Sequence, residues 1–322
     1  MIPTLLVNLN LPPEERWKLT PQQIEWAQML VNTTLNEIGG VEPYRELIEL
    51  YSAEHIPETF AAEIHSLSGL CSRTNLEILT ANLYYDFVKL LLGCTAFSVN
   101  TPNGPIHARN MDWFSESNCL SDYTTIISFQ GRESFQSVGW PGFAGMFSGI
   151  APGRFAITMN AALSNEPQVP GASIAILIRE VFETCSDFSS AVEKLCNTTI
   201  TSDCLLLITG CLADEMLVIE RTPTRFALRH HQDGHLVLTN DFHVLPQATP
   251  SVDSPLYNST CSRFRATMNQ LHAGHPASVE DCFAILGHEN VRMSITVQQM
   301  VMTARSGELH VRTGKYPKNT MP

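Results

Sequence analysis

The spacing of hydrophobic residues changes once along the chain, close to residue 93. Before that point apolar residues recur at helical intervals, as Phe60 and Ile64 do. Pro21 suits the first turn of a helix, where its missing N–H costs nothing. We therefore predict a mainly helical segment, with a short strand near 7–11 ahead of it. The predicted helices lie at 21–38, 43–52, 56–68 and 75–91.

Beyond residue 93 short apolar runs alternate with turn-forming residues, which is typical of strands. The first two runs flank the turn 100–105 and predict a β-hairpin of strands 95–100 and 105–111. Further strands are predicted at 123–129, 134–139, 204–210, 216–221, 225–230, 236–240, 294–304 and 308–313. Later helices are predicted at 171–185, 187–196, 262–272 and 279–286. This order of elements favours two sheets packed between helical layers.

Composition narrows the functional classes. A chain of 322 residues can bury a large core in one or two domains. Its 44% hydrophobic and 16% charged residues are typical of a globular enzyme rather than a disordered chain. The net charge of −12 and the lack of a Lys/Arg cluster exclude nucleic acid as the expected partner. The same charge offers little attraction to anionic membranes.

No sequence pattern predicts a metal or cofactor site. The nine cysteines include no C-x-x-C pair, and neither an H-E-x-x-H motif nor a P-loop occurs. Several histidines lack metal-ligand spacing and are interpreted as surface or core residues: His230, His231, His243 and His288. No signal-peptide pattern is present, so we expect either a cytoplasmic protein or a numbered chain that begins after a removed signal. On that basis we expect three glycosylation sequons to be unused, at Asn32, Asn197 and Asn258.

A thiol stands directly after a glycine at the start of the predicted hairpin. The second strand of that hairpin returns beside Cys94 and carries Arg109 and Asp112. A cation near a thiol favours the reactive thiolate. An unbroken strand would place Arg109 and Asp112 on opposite faces, so we expect a bend, a bulge or a strand end near Met111. The alternative interpretation is a buried structural cysteine beside a surface ion pair.

Gly93 bears on whether the chain cuts itself. Attack by the Cys94 thiol on the carbonyl of Gly93 would cut the chain between these residues, and the lack of a Cβ leaves that carbonyl open. The glycine could equally end the preceding helix. The two interpretations are compatible.

A strand-end asparagine extends the candidate site. Asn160 ends a predicted strand that follows the glycine-rich stretch 139–153. Such an asparagine can donate an N–H to a substrate oxyanion. Taken alone, Asn160 would be interpreted as a turn residue. Alongside Cys94 we interpret it as part of the site.

Four stretches, taken in order, carry a family resemblance. They are Cys94-Thr95 with Arg109-Asn110-Met111-Asp112, then 143–160, Leu238-Thr239-Asn240 and 258–265. They resemble the N-terminal-nucleophile hydrolases of the choloylglycine hydrolase superfamily, in particular its acid ceramidase and N-acylethanolamine acid amidase branch. The resemblance implies an α+β fold, a four-layer αββα sandwich preceded by a helical N-terminal segment. It also implies self-cleavage before Cys94, which would separate a helical segment 1–93 from a catalytic domain 94–322.

The resemblance further implies roles for individual residues. The cysteine is the nucleophile, and the α-amine freed by cleavage is its base. Asp112 holds that amine, and Arg109 orients Asp112 or favours the thiolate. The two asparagines donate to the oxyanion, and an arginine reaches the site from the start of a helix. The implied site residues are Cys94, Arg109, Asp112, Asn160, Asn240 and Arg263, with Arg265 as an alternative to the last.

The implied function is hydrolysis of the amide bond of N-acyl lipids, of ceramide or N-acylethanolamine type. The alternatives are a penicillin V acylase or bile-salt hydrolase, and a non-catalytic lipid-binding relative. The expected partner is a fatty-acyl amide, with no cofactor. The N-terminal segment is expected to stay associated after cleavage, and contact with a lipid surface is left open. The related acid amidases are lysosomal, which differs from the cytoplasmic location expected here.

Overall fold

The computed structural model describes residues 2–87, 92–114, 119–231, 233–245 and 258–314. The N-terminal segment folds into one strand and several helices: β1 (Thr4–Asn8), α1 (Pro21–Glu37), α2 (Arg45–His55), α3 (Glu58–Cys71), α4 (Asn75–Asn82) and α5 (Tyr84–Phe87). Two of the helix starts have a clear local cause. Thr20 and Thr74 accept a hydrogen bond from the third helical N–H, and Gln23 and Glu77 bond back to the threonine N–H.

The N-terminal segment departs from the prediction at both ends. Its strand is Thr4–Asn8 rather than 7–11, and it pairs in parallel with a strand of the later sheet. The helix predicted at 75–91 breaks at Leu83, which has φ −95° and ψ 7°. The side chain of Asn82 there donates to Gly142 O at 3.1 Å, so this end of the helix is tied to another part of the chain. Residues 88–91 lie outside the described residues.

The rest of the chain supplies the sheets and the outer helices. The strands are β2 (Leu92–Val99), β3 (Ile106–Trp113), β4 (Thr125–Gln130), β5 (Phe135–Gly139), β6 (Ser148–Ala151), β7 (Phe155–Ala161), β8 (Cys204–Thr209), β9 (Met216–Arg221), β10 (Phe226–His230), β11 (His235–Leu238), β12 (Thr296–Thr303) and β13 (Glu308–Thr313). The helices are α6 (Cys119–Asp122), α7 (Ile174–Thr184), α8 (Phe188–Asn197), α9 (Thr260–Ala273) and α10 (Val279–Leu286).

Within the described residues, the strands form an eight-stranded and a five-stranded sheet. The larger has the order β1-β4-β5-β6-β7-β8-β9-β10, and the smaller has the order β11-β2-β3-β12-β13. Neighbouring strands are antiparallel except for β1 and β4. Because β1 belongs to the N-terminal segment, that segment contributes an edge strand to the larger sheet.

The buried side chains define the layers. Residues of the two sheets pack against each other, as Ala96 and Leu238 do against Leu205 and Val218. The outer face of the smaller sheet packs on α9 and α10. A larger cluster joins the outer face of the eight-stranded sheet to α7, α8 and the helices of the N-terminal segment. The arrangement is the predicted αββα sandwich.

The first strand of the hairpin begins earlier than predicted. It starts at Leu92 rather than at residue 95, so Gly93 and Cys94 lie inside β2. The interpretation of Gly93 as a helix-ending glycine is therefore wrong. Gly93 pairs with Asp112 and Cys94 with Met111 across the hairpin. The uncut chain thus runs as regular strand through the peptide bond that self-cleavage would break.

Candidate active site

Cys94 lies at the centre of the candidate site, buried between the two sheets. Its Sγ accepts a hydrogen bond from Arg109 Nη2 at 3.1 Å and lies 4.0 Å from the carbonyl oxygen of Met159 on β7. The alternation of side chains along β2 and β3 puts Cys94 and Arg109 on the same face of the smaller sheet. The interpretation of this arginine and aspartate as a surface pair is wrong, because both are fully buried.

Arg109 is held by neutral acceptors. Its guanidinium donates to the carbonyl of Phe147 at 3.2 Å, to the Ser148 hydroxyl and to the carbonyl of Met159. Within the described residues, no carboxylate lies within ion-pair distance of it. The buried guanidinium therefore has the Cys94 sulfur as a hydrogen-bond partner alongside these neutral acceptors.

Asp112 lies on the opposite face of β3, as the three-residue spacing requires. The expected irregularity lies in the partner strand β12, where the register shifts between Thr296 and Gln298. As the cross-strand neighbour of Gly93, Asp112 sits beside the Gly93–Cys94 peptide rather than beside the sulfur. Arg109 thus reaches the Cys94 sulfur, whereas Asp112 lies beside the Gly93–Cys94 peptide.

The Asp112 carboxyl is buried, with one oxygen hydrogen-bonded and the other near an arginine. Its Oδ1 accepts a hydrogen bond from the Thr296 hydroxyl at 2.5 Å, and its Oδ2 lies 4.0 Å from Arg263 Nη1. Burial raises the pKa of Asp112 above its ordinary value, and the positive charge of Arg263 only partly opposes that effect. A carboxyl with a raised pKa is suited to exchange a proton with a neighbouring amine.

Asn240 and Arg263 meet the backbone of Cys94. The side-chain oxygen of Asn240 accepts from the Cys94 N–H at 3.1 Å and from Arg263 Nη2 at 2.8 Å. Arg263 Nη1 donates to the Cys94 carbonyl at 2.5 Å and to the Thr95 hydroxyl at 2.9 Å. Arg263 is buried, whereas Arg265 is exposed. Of the two arginines that the sequence left open, Arg263 is the one at the site.

The two candidate oxyanion donors brace the strand ends in the uncut chain. Asn160 Nδ2 donates to the carbonyls of Leu238 and Thr239, at 3.3 and 2.8 Å. Asn240 Nδ2 donates to the carbonyl of Ala161 at 2.8 Å, which uses one of its two hydrogens. Within the described residues, the second Asn240 Nδ2 hydrogen has no acceptor, whereas Asn160 Nδ2 already donates to two carbonyls. Their oxyanion roles stay predictions.

Sequence reasoning missed the hydroxyl groups that surround the charged residues. The Ser148 hydroxyl bonds Arg109, and the Thr296 hydroxyl bonds Asp112. The Thr95 hydroxyl bonds Arg263, and the Thr260 hydroxyl accepts from the Asn240 N–H. Thr95 and Ser148 lie inside or next to motifs that the sequence already marks. Thr260 lies inside the stretch 258–265 that the sequence also marks, whereas Thr296 carries no local signal, because it acts on a residue distant in the chain.

An apolar cavity of about 560 Å³ lies beside the N-terminal segment. Its walls come from α2, from the end of that segment and from the loop that follows β7. Phe87 precedes Cys94 in the chain and Leu163 follows Asn160, but none of the lining residues is one of the site residues named above. Leu47 and Leu50 line it while each is 60% exposed. The other lining residues are Tyr44, Ile48, Tyr51, Glu54, His55, Leu83, Asp86, Gln168, Val169, Pro170 and Thr201.

In the described part of the chain, no helix is long and apolar enough to cross a membrane. No group of His, Cys, Asp or Glu side chains among these residues has the arrangement of a metal site.

The chain was compared with known families and proteins. The profile of a family described as acyl-coenzyme A:6-aminopenicillanic acid acyl-transferase matches residues 99–321, well over half of the chain. Acid ceramidase of Balaenoptera acutorostrata scammoni is 26% identical over 253 residues, covering 68% of this chain and 63% of that protein. Acid ceramidase of Homo sapiens is 24% identical, with the same coverage. The chain thus spans less than two thirds of the length of these relatives.

A solved structure shows the same fold. It is the Caenorhabditis elegans N-acylethanolamine-hydrolyzing acid amidase ortholog, which aligns with a TM-score of 0.52 and 19% identity. The alignment covers 66% of this chain and 93% of that one. At this identity the likeness concerns the fold, and it confirms the αββα arrangement predicted from the sequence.

Proposed function

This chain belongs to the acyl-coenzyme A:6-aminopenicillanic acid acyl-transferase family, and from that premise we propose that it is a self-processing cysteine amidase. Its substrates are N-acyl lipids of the ceramide or N-acylethanolamine type, which it cuts to a fatty acid and an amine. The observation that carries the proposal is the buried Arg109 Nη2–Cys94 Sγ contact of 3.1 Å. The substrate class is taken from the names of the similar proteins.

Self-cleavage begins at the Gly93–Cys94 peptide. The Cys94 thiolate attacks the Gly93 carbonyl carbon, the C–N bond breaks, and the nitrogen takes up a proton to become an α-amine. Water then hydrolyses the thioester and leaves the segment 1–93 with a new carboxylate. Gly93 suits this step because no Cβ shields its carbonyl. Asp112, the cross-strand neighbour of Gly93, then lies beside the new amine.

Substrate hydrolysis reuses the same groups. The α-amine, with an intrinsic pKa of about 8, takes the thiol proton, and no histidine is required. The thiolate attacks the amide carbonyl, and each donor to the oxyanion contributes roughly 3 kcal/mol. The α-ammonium then protonates the leaving amine, and water hydrolyses the thioester. Among the described residues, Asn240 is the donor with an uncommitted hydrogen, and Arg263 fixes its side-chain oxygen.

The apolar cavity supports an acyl substrate. Its volume of about 560 Å³ falls within the range of about 300–1,000 Å³ that is typical of ligand pockets. Its walls include Leu47, Leu83, Phe87 and Leu163, which offer an apolar chain a place out of water. Its partly exposed leucines leave contact with a lipid surface open.

The N-terminal segment has reasons to stay bound after cleavage. Its strand β1 is hydrogen-bonded to β4 of the catalytic domain. Its buried Glu63 accepts two hydrogen bonds from Arg179 on α7, each at 2.6 Å. Glu63 also accepts from Arg16 and Trp17 of its own segment, at 2.8 and 2.7 Å. The residues 1–93 and 94–322 are therefore proposed as two fragments of one folded unit.

A substrate panel tests the proposed activity. Wild-type protein is incubated with ceramides, N-acylethanolamines, penicillin V and a conjugated bile salt, and the released amine is measured. We expect release from the first two classes, none from Cys94→Ala, and normal release from Cys282→Ala, which removes another buried cysteine. Turnover of penicillin V or the bile salt alone would move the protein to the alternative class. Binding of N-acyl lipids without turnover would make it a non-catalytic relative.

A further inference from the structure

The strand pairing and the preceding turn fix the position of Thr296. It is the first residue of β12, it is buried, and it pairs with Asp112 across the strands. The chain turns tightly just before it, since Thr296 N donates to Met293 O at 3.1 Å. The register shift directly after Thr296 is a β-bulge, a feature that commonly re-aims a side chain.

The direction of the Thr296 hydroxyl follows from its two partners. The N–H of Met293 donates to Thr296 Oγ1 at 3.1 Å. Because an amide N–H can only donate, the hydroxyl oxygen must accept there. Its single proton is thereby left for Asp112 Oδ1, 2.5 Å away.

The other carboxylate oxygen of Asp112 has a different environment. Within the described residues, Oδ2 is buried and accepts no hydrogen bond. Arg263 Nη1 lies 4.0 Å from it, beyond hydrogen-bond distance. A buried acceptor without a donor costs free energy, so such an atom suggests a partner that arrives later.

We propose that Thr296 is a positioning residue that occupies Oδ1 of Asp112 and so keeps Oδ2 for the α-amine of Cys94. The inference rests on the proposed function, because cleavage is what creates that amine. Thr296 lies in none of the sequence motifs, and its one role is to occupy Oδ1 of Asp112. The hydroxyl touches neither substrate nor sulfur, and it acts only through Asp112.

The charged groups around Asp112 set the sign of the expected effect. Arg263 faces it from α9, Arg109 comes from β3 itself, and Arg292 precedes β12. All of them favour the carboxylate, and so does the Thr296 proton. Removing that proton raises the pKa of Asp112 further, so a pH-rate limb that reports its ionisation moves to higher pH.

The test compares variants that differ by one group. Thr296→Val removes the hydroxyl and keeps the shape, whereas Thr296→Ser keeps the hydroxyl. Thr34→Val is the matched control, since Thr34 is also buried but bonds only to carbonyls of its own helix. The pH profile of kcat/KM is measured for each variant on an N-acyl substrate.

We expect Thr296→Val to lower kcat/KM by about 10- to 100-fold, the factor for losing a hydrogen bond to a charged group. Its acidic limb should move to higher pH, while Thr296→Ser and Thr34→Val should keep the wild-type profile. A wild-type profile for Thr296→Val, or a serine variant as impaired as the valine variant, would overturn the inference.

A second measurement separates this inference from the proposed function. Unfolding is measured in a double-mutant cycle of Thr296→Val with Asp112→Ala, which requires no turnover. Non-additive effects are expected from the hydrogen bond, and additive effects would overturn the inference even in an inactive protein. A wild-type protein that neither cuts itself nor hydrolyses amides would instead overturn the proposed function.

Discussion

Glu63→Gln is expected to loosen the N-terminal segment from the catalytic domain. Glu63 is 1% exposed, and both of its carboxylate oxygens accept from Arg179. Glutamine keeps the shape but leaves the Arg179 charge buried with a weaker partner. The guanidinium also lies 4.9 Å from the ring centre of Phe129, and Arg179 is only 3% exposed.

The magnitude follows from the burial of this pair. Breaking a buried ion pair by removing one charge costs about 3–5 kcal/mol. Glu183 still contacts Arg179 at 2.7 Å, so we take the lower end, about 3 kcal/mol. That corresponds to about 100-fold weaker association of the fragments. At about 2 °C per kcal/mol, it also lowers the midpoint of thermal unfolding by about 6 °C.

Acid should weaken the Glu63–Arg179 contact only at a pH below the ordinary pKa of a glutamate. Burial alone would raise the pKa of Glu63, but the charge and hydrogen bonds of Arg179, together with the hydrogen bonds of Trp17 and Arg16, hold the pKa below its ordinary value of 4.5. A lowered pKa contributes stability that is present above 4.5 and is lost as the pH falls through the lowered value. The fragments should therefore stay together at pH 5.

The assay is size-exclusion chromatography of processed protein over a dilution series, with thermal unfolding of the same samples. Glu77→Gln is the control, because Glu77 pairs with Arg73 at 3.2 Å inside the N-terminal segment. Glutamine also keeps its place in the capping box. If Glu63→Gln fragments co-elute at every dilution and unfold at the wild-type midpoint, the assignment of this pair as the main link is refuted.

Three further substitutions test individual site residues. Asn240→Ala should lower kcat by about 100-fold or more with little change in KM, since its donor acts mainly in the transition state; a raised KM with unchanged kcat would contradict this. Asp112→Asn should impair both self-cleavage on a gel and hydrolysis, whereas Asp122→Asn, on an exposed carboxylate, should impair neither. Arg263→Lys should slow hydrolysis, because one ammonium cannot replace the two guanidinium nitrogens that bond the Cys94 carbonyl and the Asn240 side-chain oxygen. Arg265→Lys, at an exposed residue, should leave the rate unchanged.

Local signals account for the parts of the fold that the sequence predicted well. The start of α1 follows from Thr20 and Pro21, and β13 (Glu308–Thr313) matches its prediction at both ends. The hairpin of β2 and β3 was recognisable from its turn residues, so the approach of Arg109 to Cys94 could be predicted. In each case the determining residues are neighbours in the chain.

Contacts between distant residues account for what the sequence did not predict. The parallel pairing of β1 with β4 joins residues that no local pattern relates. The helix break after Asn82 coincides with a bond from its side chain to Gly142, 60 residues along the chain. The bulge that was expected in β3 lies in β12 instead, because the extra residue follows Thr296 in the partner strand.

The candidate site shows the same difference between local signals and contacts of distant residues. The types of its charged residues could be predicted, since chemistry restricts what can activate a thiol. The expected bend near Met111 was wrong, because β3 is unbroken and its two faces send Arg109 to the sulfur and Asp112 to the peptide. The commitment of both Asn160 N–H groups to the carbonyls of Leu238 and Thr239 was equally invisible in the sequence.

The intact mass of the purified protein tests the central claim most directly. Wild-type protein and Cys94→Ala are incubated at mildly acidic pH and measured under denaturing conditions. We predict the masses of residues 1–93 and 94–322 for the wild type and a single uncut chain for the variant. An uncut wild-type chain, or a Cys94→Ala chain cut at the same bond, would contradict the assignment of Cys94 as the nucleophile that frees its own amine.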